Sequence, residues 1–265
     1  MSLLSEQLHA LAPTIKRICN ISGTPGVSIG VAQKGQTIFK ANFGSRDLEA
    51  QTAPDENTIF HIASMTKSFA AWAIASLVSE GKLKWDTLIV EILPAFKLKE
   101  NTLTNKVDIV DLLAHRVGIA GGNAFWSQGE NRNHIPKQEA VPIVGNLPQV
   151  MDFRDSFLYH NVGYSIITEI IEHLSGQSFG TFITITEPQH NNRSRAYVPM
   201  NNGTFVKIPL PESQDGTFQA AAGGVRSCVE DLLKYYSAIL QARQADFAGQ
   251  PNEASRVLNE ADLGS

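Results

Sequence analysis

The chain has 265 residues, of which 43% are hydrophobic and 18% charged, and its formal net charge is −4. A chain of this size can bury a large core, and without a basic excess it is not expected to bind a nucleic-acid backbone. The longest nearly unbroken apolar run, residues 69–78, is about half of the roughly 20 residues that a membrane-spanning helix needs. The N-terminus lacks the basic start and pure apolar core of a secretory signal, and the two cysteines suit a reducing compartment. We therefore expect a cytoplasmic globular protein that binds neither nucleic acid nor membranes.

The hydrophobic pattern predicts helices along much of the chain, with short strands near both ends. Apolar residues at helical spacing predict helices, and short β-branched runs beside glycine-containing turns predict strands. In chain order, the predicted elements are a helix at 3–19, hairpin strands at 27–32 and 37–41, helices at 64–80, 107–115 and 164–175, a strand at 204–209 and a helix at 228–242. This order predicts one sheet built from distant segments, with a helical insertion between them.

Residues 26–30, Gly-Val-Ser-Ile-Gly, match the G-x-S-x-G pattern of a nucleophile elbow. Such an elbow places its serine on a sharp turn between a strand and a helix. Ser28 instead lies within an apolar alternation that runs into a hairpin turn, and no helix is predicted to follow. We therefore predict that Ser28 lies along a strand and has a structural role.

A second candidate nucleophile is Ser64, which precedes Lys67 in an S-x-x-K pattern. The i,i+3 spacing places both side chains on one helix face. The alternative interpretation makes Ser64 an N-cap, but a cation in the first turn opposes the helix dipole and does not suit an ordinary cap. The dipole and burial both lower the pKa of such a lysine, and a neutral amine can take the serine proton and activate the hydroxyl for acyl transfer. Free N–H groups at the helix start can also hold a developing oxyanion.

The third candidate feature is the run Tyr159-His160-Asn161. A tyrosine beside a lysine can serve as a second general acid or base. The amide of Asn161 can orient both the lysine and a substrate carbonyl. The alternative is a loop tyrosine packed on the following helix, with Asn161 as its N-cap. Local sequence leaves both interpretations open.

The histidines and cysteines do not form a metal-binding pattern. There is no H-E-x-x-H motif and no cysteine pair at zinc spacing. Asp111 and His115 are predicted to share a helix face at i,i+4, but two ligands do not make a site. We expect structural or solvent-facing roles, and no metal, for the scattered histidines, which include His115, His134, His160, His173 and His190.

Several segments, taken together and in order, resemble the serine β-lactamase-related superfamily, which includes class C β-lactamases, D-Ala-D-Ala carboxypeptidases and related esterases and transesterases. The text around Phe125-Trp126 and Phe153-Arg154 is most similar to the fungal branch, some of whose members act in natural-product pathways. The matching segments are residues 25–31, 60–68, 111–119, 153–154, 159–164, 170–176 and 221–231.

The resemblance implies an α/β (α+β) fold of the β-lactamase/transpeptidase type, in which helices flank an antiparallel sheet beside a helical subdomain. It implies one domain over residues 1–265, with an α/β lobe at about 1–62 and 203–265 and a helical lobe at about 63–202. It also implies a serine hydrolase or acyltransferase that acts on an ester, thioester or amide carbonyl of a small molecule, without a cofactor. In that enzyme Ser64 is the acylated nucleophile, Lys67 its base, Tyr159 the second acid/base and Asn161 the substrate-orienting amide.

The chain departs from the family pattern after Asn161. The family carries a Lys/His-Thr/Ser-Gly triplet on a strand beside the nucleophile, and a backbone N–H of that strand completes the oxyanion hole. No such triplet occurs between Asn161 and Ser265, and residues 182–197 also differ from the corresponding family segment. We therefore expect a C-terminally short member whose sheet is incomplete at that end. Two hypotheses follow: an acyl-enzyme hydrolase or transferase, or a catalytically impaired homologue with a binding role or none. The oligomeric state is left open.

Overall fold

The computed structural model describes residues 3–123, 131–183 and 191–249. A 3₁₀ helix, Ala63–Met65, leads into the third of the helices, and another spans Lys137–Glu139. The strands are β1 (Gly26–Gln33), β2 (Gln36–Gly44), β3 (Phe60–His61), β4 (Ala196–Pro199), β5 (Phe205–Ile208) and β6 (Arg226–Ser227). The helices are α1 (Leu3–Ala10), α2 (Ala12–Ser22), α3 (Thr66–Ser79), α4 (Ile89–Ile92), α5 (Asn101–Thr104), α6 (Ile109–Leu113), α7 (Ala140–Val144), α8 (Val162–Ser175), α9 (Phe179–Phe182), α10 (Ala220–Gly223) and α11 (Val229–Phe247).

These elements form two compact units. The described part of the first unit consists of residues 3–61, 191–210 and 226–249, and it contains all the strands named above. The described part of the second unit consists of residues 62–123, 131–183 and 211–225, and its elements are helical. That the whole chain makes one domain, with lobes at the predicted boundaries, stays a prediction.

The strands pair in an antiparallel manner, β1 with β2, β3 with β6 and β4 with β5. In the described residues they form three two-stranded sheets, where one sheet was predicted. The pairing of β3 with β6 joins segments that are far apart in the chain, with helices between them, which confirms that aspect of the prediction. Strand β5 matches the predicted strand at 204–209. Its partner β4 was not predicted, because it has only four residues and ends in Pro199, which gives too short a pattern.

The predicted hairpin at the start of the first unit is confirmed. Gly26 lies opposite Gly44, and Gln33 lies opposite Gln36. The two residues of the turn, Lys34 and Gly35, have φ values of 51° and 75°. Two successive positive φ values define the type I′ turn, whose twist matches that of the flanking strands.

Strand β1 packs against helix α11. A Cβ atom on Gly30 would lie 2.7 Å from Leu233 Cδ1 and 2.8 Å from Val229 Cγ1, so the helix approaches the backbone of the strand at this glycine. Two residues earlier on the strand, the Ser28 hydroxyl donates a hydrogen bond to the Asp55 carbonyl at 3.1 Å. The G-x-S-x-G pattern is therefore a strand with a packing glycine, and the prediction that Ser28 lies along a strand is confirmed.

The single helix predicted over residues 3–19 is wrong. The chain forms α1 and α2, which are separated at Leu11. Pro13 lies in the first turn of α2. Proline lacks an N–H, and its ring clashes with the carbonyl four residues earlier, so it favours a helix start over a helix interior. Helix α2 then ends before Gly23, which has a φ of 63°.

The centre of the second unit is formed by α3, α8 and α10, which contact one another. Helix α3 contributes Ala70 and Ile74, and helix α8 contributes Ile166 and Ile170; all four are fully buried. The small alanine allows close approach of the helices, and the isoleucines fill the space between them. No helix in the described ranges has the length and apolar character needed to cross a lipid bilayer.

Helix α6 is shorter than predicted, because it ends at Leu113. Asp108 caps its start: the Asp108 side chain accepts from the Asp111 N–H, and the Asp111 side chain accepts from the Asp108 N–H. Beyond the helix, His115 adopts a φ of 58°, which is incompatible with a continuing α-helix. The prediction that Asp111 and His115 share a helix face is therefore wrong.

Asp111 is fully buried and binds two arginines. Arg116 Nε donates to Oδ1 at 2.6 Å, and Arg154 donates to both carboxylate oxygens, from Nε at 2.9 Å and from Nη2 at 2.8 Å. Arg154 Nη2 also donates to Asp108 at 2.6 Å. Burial by itself raises the pKa of Asp111, but the hydrogen bonds from Arg154, Asp108 and Arg116 outweigh it and lower that pKa. This cluster fixes Arg154, and with it the start of the segment that leads to Tyr159.

We expect Gly30→Ala to lower the free energy of unfolding by about 1–3 kcal/mol, because the new methyl group collides with Leu233 and Val229 in a packed interface. Urea denaturation of the full chain measures the change. Thr37→Ser, on the exposed side of β2, is the matched control and is expected to stay within about 0.5 kcal/mol. An unchanged urea midpoint for Gly30→Ala would contradict the close approach of α11.

We expect Asp111→Asn to lower the free energy of unfolding at pH 7 by about 1.5–3 kcal/mol, because hydrogen bonds to a charged group are lost. The pKa of Asp111 is lowered in the folded chain, so its stabilisation is present above the unfolded value of about 3.9 and is lost as the pH falls through the folded value. Urea midpoints of wild type and variant should therefore converge in acid. Asp155→Asn, at an exposed carboxylate, serves as the control. A difference that persists undiminished at pH 2 argues against the ion pair as its cause.

Candidate active site

Ser64 lies at the centre of the 3₁₀ helix Ala63–Met65, directly before α3. The residue before it, Ala63, has a φ of 46°, a left-handed conformation that residues with a Cβ atom rarely adopt. Neither the 3₁₀ helix nor α3 has a side-chain cap at its start, so the interpretation of Ser64 as an ordinary N-cap is wrong. Ser64 is exposed, and backbone outliers of this kind cluster at functional sites.

Lys67 is in the first turn of α3, and the residue is 8% exposed. Its amine donates to three oxygen atoms: Ser64 Oγ at 3.3 Å, Asn161 Oδ1 at 2.8 Å and the Ala222 carbonyl at 2.7 Å. Three acceptors match the three N–H donors of an ammonium group. Ala222 lies in the last turn of α10, where carbonyl groups have no partner within the helix. The predicted proximity of Lys67 to Ser64 is confirmed.

The surroundings of Lys67 favour loss of its proton. Burial lowers the pKa of Lys67, and a hydrogen bond to Tyr159 and the charge of that group oppose the shift without reversing it. The position of the lysine in the first turn of α3 acts in the same direction as burial, because the positive end of a helix dipole disfavours a cation. A neutral amine keeps two donors and gains a lone pair, which can accept the hydroxyl proton of Ser64.

Tyr159 also reaches Ser64. Its hydroxyl donates to Ser64 Oγ at 2.7 Å, and its ring centroid lies 4.8 Å from Lys67 Nζ. The tyrosine therefore contacts both the serine oxygen and the lysine amine. The interpretation of Tyr159 as a loop residue that merely packs on the next helix does not explain these contacts.

Asn161 occupies the N-cap position of α8 but makes no capping hydrogen bond. Its Oδ1 accepts from Lys67, and its Nδ2 donates to Asn123 Oδ1 at 3.0 Å. The interpretation of Asn161 as a structural cap is therefore wrong. Its amide oxygen is bound to the same lysine amine that reaches Ser64, and its second N–H can meet a substrate carbonyl.

The segment that carries Tyr159 is tied to residues 113–116. The Arg154 N–H donates to the Arg116 carbonyl at 2.9 Å, and the Leu158 N–H donates to the His115 carbonyl at 2.8 Å. The Tyr164 hydroxyl, beyond the site, donates to the Leu113 carbonyl at 3.0 Å. Residues 111–119, which the family resemblance singled out, thus form the support on which the tyrosine is placed.

Two contacts of the site could not be foreseen from local sequence. Asn123 meets Asn161 over a separation of 38 residues, and Ala222 meets Lys67 over a separation of 155. The segment around Ala222 matched the family text, which is the one signal that could have drawn attention to it. Phe125, Trp126 and His190, which the sequence also singled out, lie outside the described residues.

The site shows no arrangement for a metal. Within residues 3–123, 131–183 and 191–249, no group of three or more histidine, cysteine, aspartate or glutamate side chains is placed to hold a metal ion. Asp111 is bound to arginines, and His115 and His160 contact each other by their rings. What the site brings together is a serine, a lysine, a tyrosine and an asparagine.

Comparison with known proteins shows what the chain is similar to. Protein flp from Staphylococcus aureus strain MW2 is 28% identical over 160 residues, which cover 60% of this chain and 32% of that protein. The octameric penicillin-binding protein homologue from Pyrococcus abyssi is 26% identical, with a TM-score of 0.74 over 87% of this chain and 55% of its own. EstCE1, described as a hydrolase with promiscuous acyltransferase activity, shares the fold with a TM-score of 0.70 at 15% identity, over 88% of this chain and 72% of its own.

The chain thus spans about a third of the curated relative and about half of the archaeal structure. A protein-family model described as Beta-lactamase matches residues 13–261, which is nearly the whole chain. The predicted fold, in which helices accompany antiparallel strands, agrees with this match and with the structural neighbours. The chain belongs to the Beta-lactamase family.

Proposed function

We propose that this protein is a serine hydrolase or acyltransferase that forms an acyl-enzyme on Ser64. The observation that carries the proposal is that Ser64 Oγ lies within hydrogen-bonding distance of two proton carriers, Tyr159 at 2.7 Å and Lys67 at 3.3 Å. A serine hydroxyl is a weak nucleophile by itself and needs an adjacent base. The buried amine, with its lowered pKa, supplies that base.

In the proposed acylation, the neutral Lys67 amine accepts the hydroxyl proton while Ser64 Oγ forms a bond to the acyl carbon. The Ser64 N–H, near the start of the 3₁₀ helix, can stabilise the oxyanion. When the intermediate collapses, the bond to the leaving group breaks and Tyr159 donates a proton to that group. The Lys67 ammonium then returns its proton to the tyrosine oxygen, so the leaving group keeps the former tyrosine proton and the serine proton replaces it on Tyr159.

In the proposed deacylation, water or an alcohol attacks the acyl carbon and gives up a proton to the same pair of groups. The bond between the acyl carbon and Ser64 Oγ then breaks, and the pair returns the proton to Oγ. Water makes the protein a hydrolase, and an alcohol makes it a transferase. EstCE1, which shares the fold, is a hydrolase with promiscuous acyltransferase activity, and this supports keeping both outcomes in the proposal.

Asn161 orients the acyl group of a small-molecule ester, thioester or amide, and the exposed serine makes the site accessible to it. Natural-product esters are one such class, and we place the reaction in the cytoplasm.

A catalytically impaired homologue that binds an acyl compound is the second candidate. Residues 162–265 hold no Lys/His-Thr/Ser-Gly triplet, the motif whose backbone N–H completes the oxyanion hole in the family that the sequence resembles. Loss of one oxyanion donor costs about 10²–10³ in rate. Ester turnover by the full chain that disappears in Lys67→Ala would contradict this candidate, whereas a stable adduct without turnover would favour it.

We expect the full chain to gain one adduct when it is incubated with a fluorophosphonate, because this reagent reacts with activated serines. Intact-mass spectrometry measures the adduct. Ser64→Ala should abolish it, whereas Ser28→Ala, at the serine of the G-x-S-x-G pattern, should leave it unchanged, since the Ser28 hydroxyl on β1 donates to the Asp55 carbonyl.

A folded wild-type chain that forms no adduct would contradict the proposed nucleophile. An adduct that survives Ser64→Ala would do the same. Circular dichroism of each variant shows whether the comparison is made between folded proteins.

A further inference from the structure

His115 is a buried histidine beside the candidate site that takes no part in the proton transfers proposed above. The residue is 5% exposed, and its backbone φ is 58°. Residues other than glycine seldom adopt this conformation, although histidine and asparagine are found in it more often than most. Such a conformation persists only where the surroundings fix it. The contacts of His115 show what it is fixed against.

Two hydrogen bonds join His115 to the residues on either side of Tyr159. The Leu158 N–H donates to the His115 carbonyl at 2.8 Å, and the His160 N–H donates to His115 Nδ1 at 3.2 Å. One residue therefore holds the backbone immediately before and immediately after the tyrosine. The second bond needs a lone pair on Nδ1, so it exists only while that nitrogen carries no proton.

The ring of His115 also lies against the ring of Tyr159. Their centroids are 4.5 Å apart with an interplanar angle of 34°. The other aromatic groups around the imidazole are Phe157 and Tyr164, each with its centroid at 5.3 Å, and His160 at 5.1 Å. The imidazole thus fills the space behind the tyrosine ring and limits its rotation away from Ser64.

Burial and the charge of Lys67 lower the pKa of His115 and keep it neutral. The ionisable groups that face it are Lys67, Tyr159, His160 and Tyr164. Burial first, and then the charge of Lys67, lower the pKa of His115 to about 4, and burial lowers the pKa of His160 to about 3. At neutral pH the Nδ1 lone pair is therefore available to the His160 N–H.

From these contacts we propose that His115 is a positioning residue that holds the Tyr159 hydroxyl against Ser64. It acts through the tyrosine and does not touch the reacting atoms. The inference rests on the proposed function, because the position of Tyr159 affects the reaction only if that tyrosine transfers a proton.

Two variants of the full chain separate this role from general packing. His115→Gly removes the ring and the acceptor, and glycine adopts the positive φ without strain. His115→Asn removes the ring but keeps an acceptor, since its Oδ1 can replace Nδ1, and asparagine also tolerates the conformation. His173→Asn, at an exposed histidine in the last turn of α8, is the matched control. Each variant is made in the wild-type background and in a Tyr159→Phe background.

The first readout is the rate of fluorophosphonate labelling. We expect His115→Gly to label about tenfold more slowly than wild type, because it leaves the buried His160 N–H without a partner and frees the tyrosine. His115→Asn should stay within about threefold of wild type, and the control should be unchanged. In the Tyr159→Phe background, His115→Gly should cause no further loss, because a positioning residue has nothing left to position.

The second readout is a crystal structure of each variant. The distance from the Tyr159 hydroxyl to Ser64 Oγ should stay near 2.7 Å in His115→Asn and should exceed 3.5 Å in His115→Gly. If the glycine variant does not fold, the asparagine variant alone tests the proposal. A structure of His115→Asn in which the new side chain accepts from the His160 N–H but the Tyr159 hydroxyl has moved away from Ser64 would overturn it.

Wild-type labelling and distance in His115→Gly would overturn the inference. An equal loss of labelling in both backgrounds would overturn it as well, since that indicates a general packing defect. A wild-type chain that does not label contradicts the proposed function instead, and the crystallographic distance then decides the positioning role independently.

Discussion

The Lys67 amine, bound by three oxygen atoms, is the interaction on which the rest of the site depends. The acceptors come from the turn before α3, from the start of α8 and from the end of α10, at Ser64, Asn161 and Ala222. These three helices also form the packed centre of the second unit. The burial that stabilises the unit therefore desolvates the lysine, and desolvation is the largest cause of its lowered pKa. The packing of these three helices thus both stabilises the unit and lowers the pKa of Lys67.

Three of the six non-glycine residues that have a positive φ in the described ranges belong to the site or to the segment that carries Tyr159. Ala63, His115 and Arg154 all have positive φ values, of 46°, 58° and 63°. Ala63 precedes the serine, His115 contacts the tyrosine, and Arg154 begins the segment that leads to the tyrosine. Each of these conformations costs about 1–3 kcal/mol and has to be offset by its surroundings. The buried Asp111, which binds Arg154, shows how one of them is held.

Periodicity and turn chemistry predicted much of the fold, because they act over a few residues. Lys34-Gly35 predicted the hairpin, and the S-x-x-K spacing placed Lys67 beside Ser64. The absence of a predicted helix after Ser28 correctly separated that serine from a nucleophile elbow. Single residues that override a pattern caused the errors: Pro13 divided the first helix, and His115 ended α6 early. The contact of Lys67 with Ala222 spans 155 residues, so no local pattern could predict it.

Burial of Lys67 is what allows its amine to accept the Ser64 proton, and a direct titration of the amine in the folded chain tests this. Carbon and nitrogen NMR of the lysine side chains, with the Lys67 resonance assigned by its loss in Lys67→Arg, would give the midpoint in the folded chain. We expect a midpoint clearly below the value of about 10.4 for an exposed lysine, because burial lowers the pKa of Lys67. A midpoint at or above that value would contradict this expectation, because an amine that stays protonated cannot take the proton of Ser64.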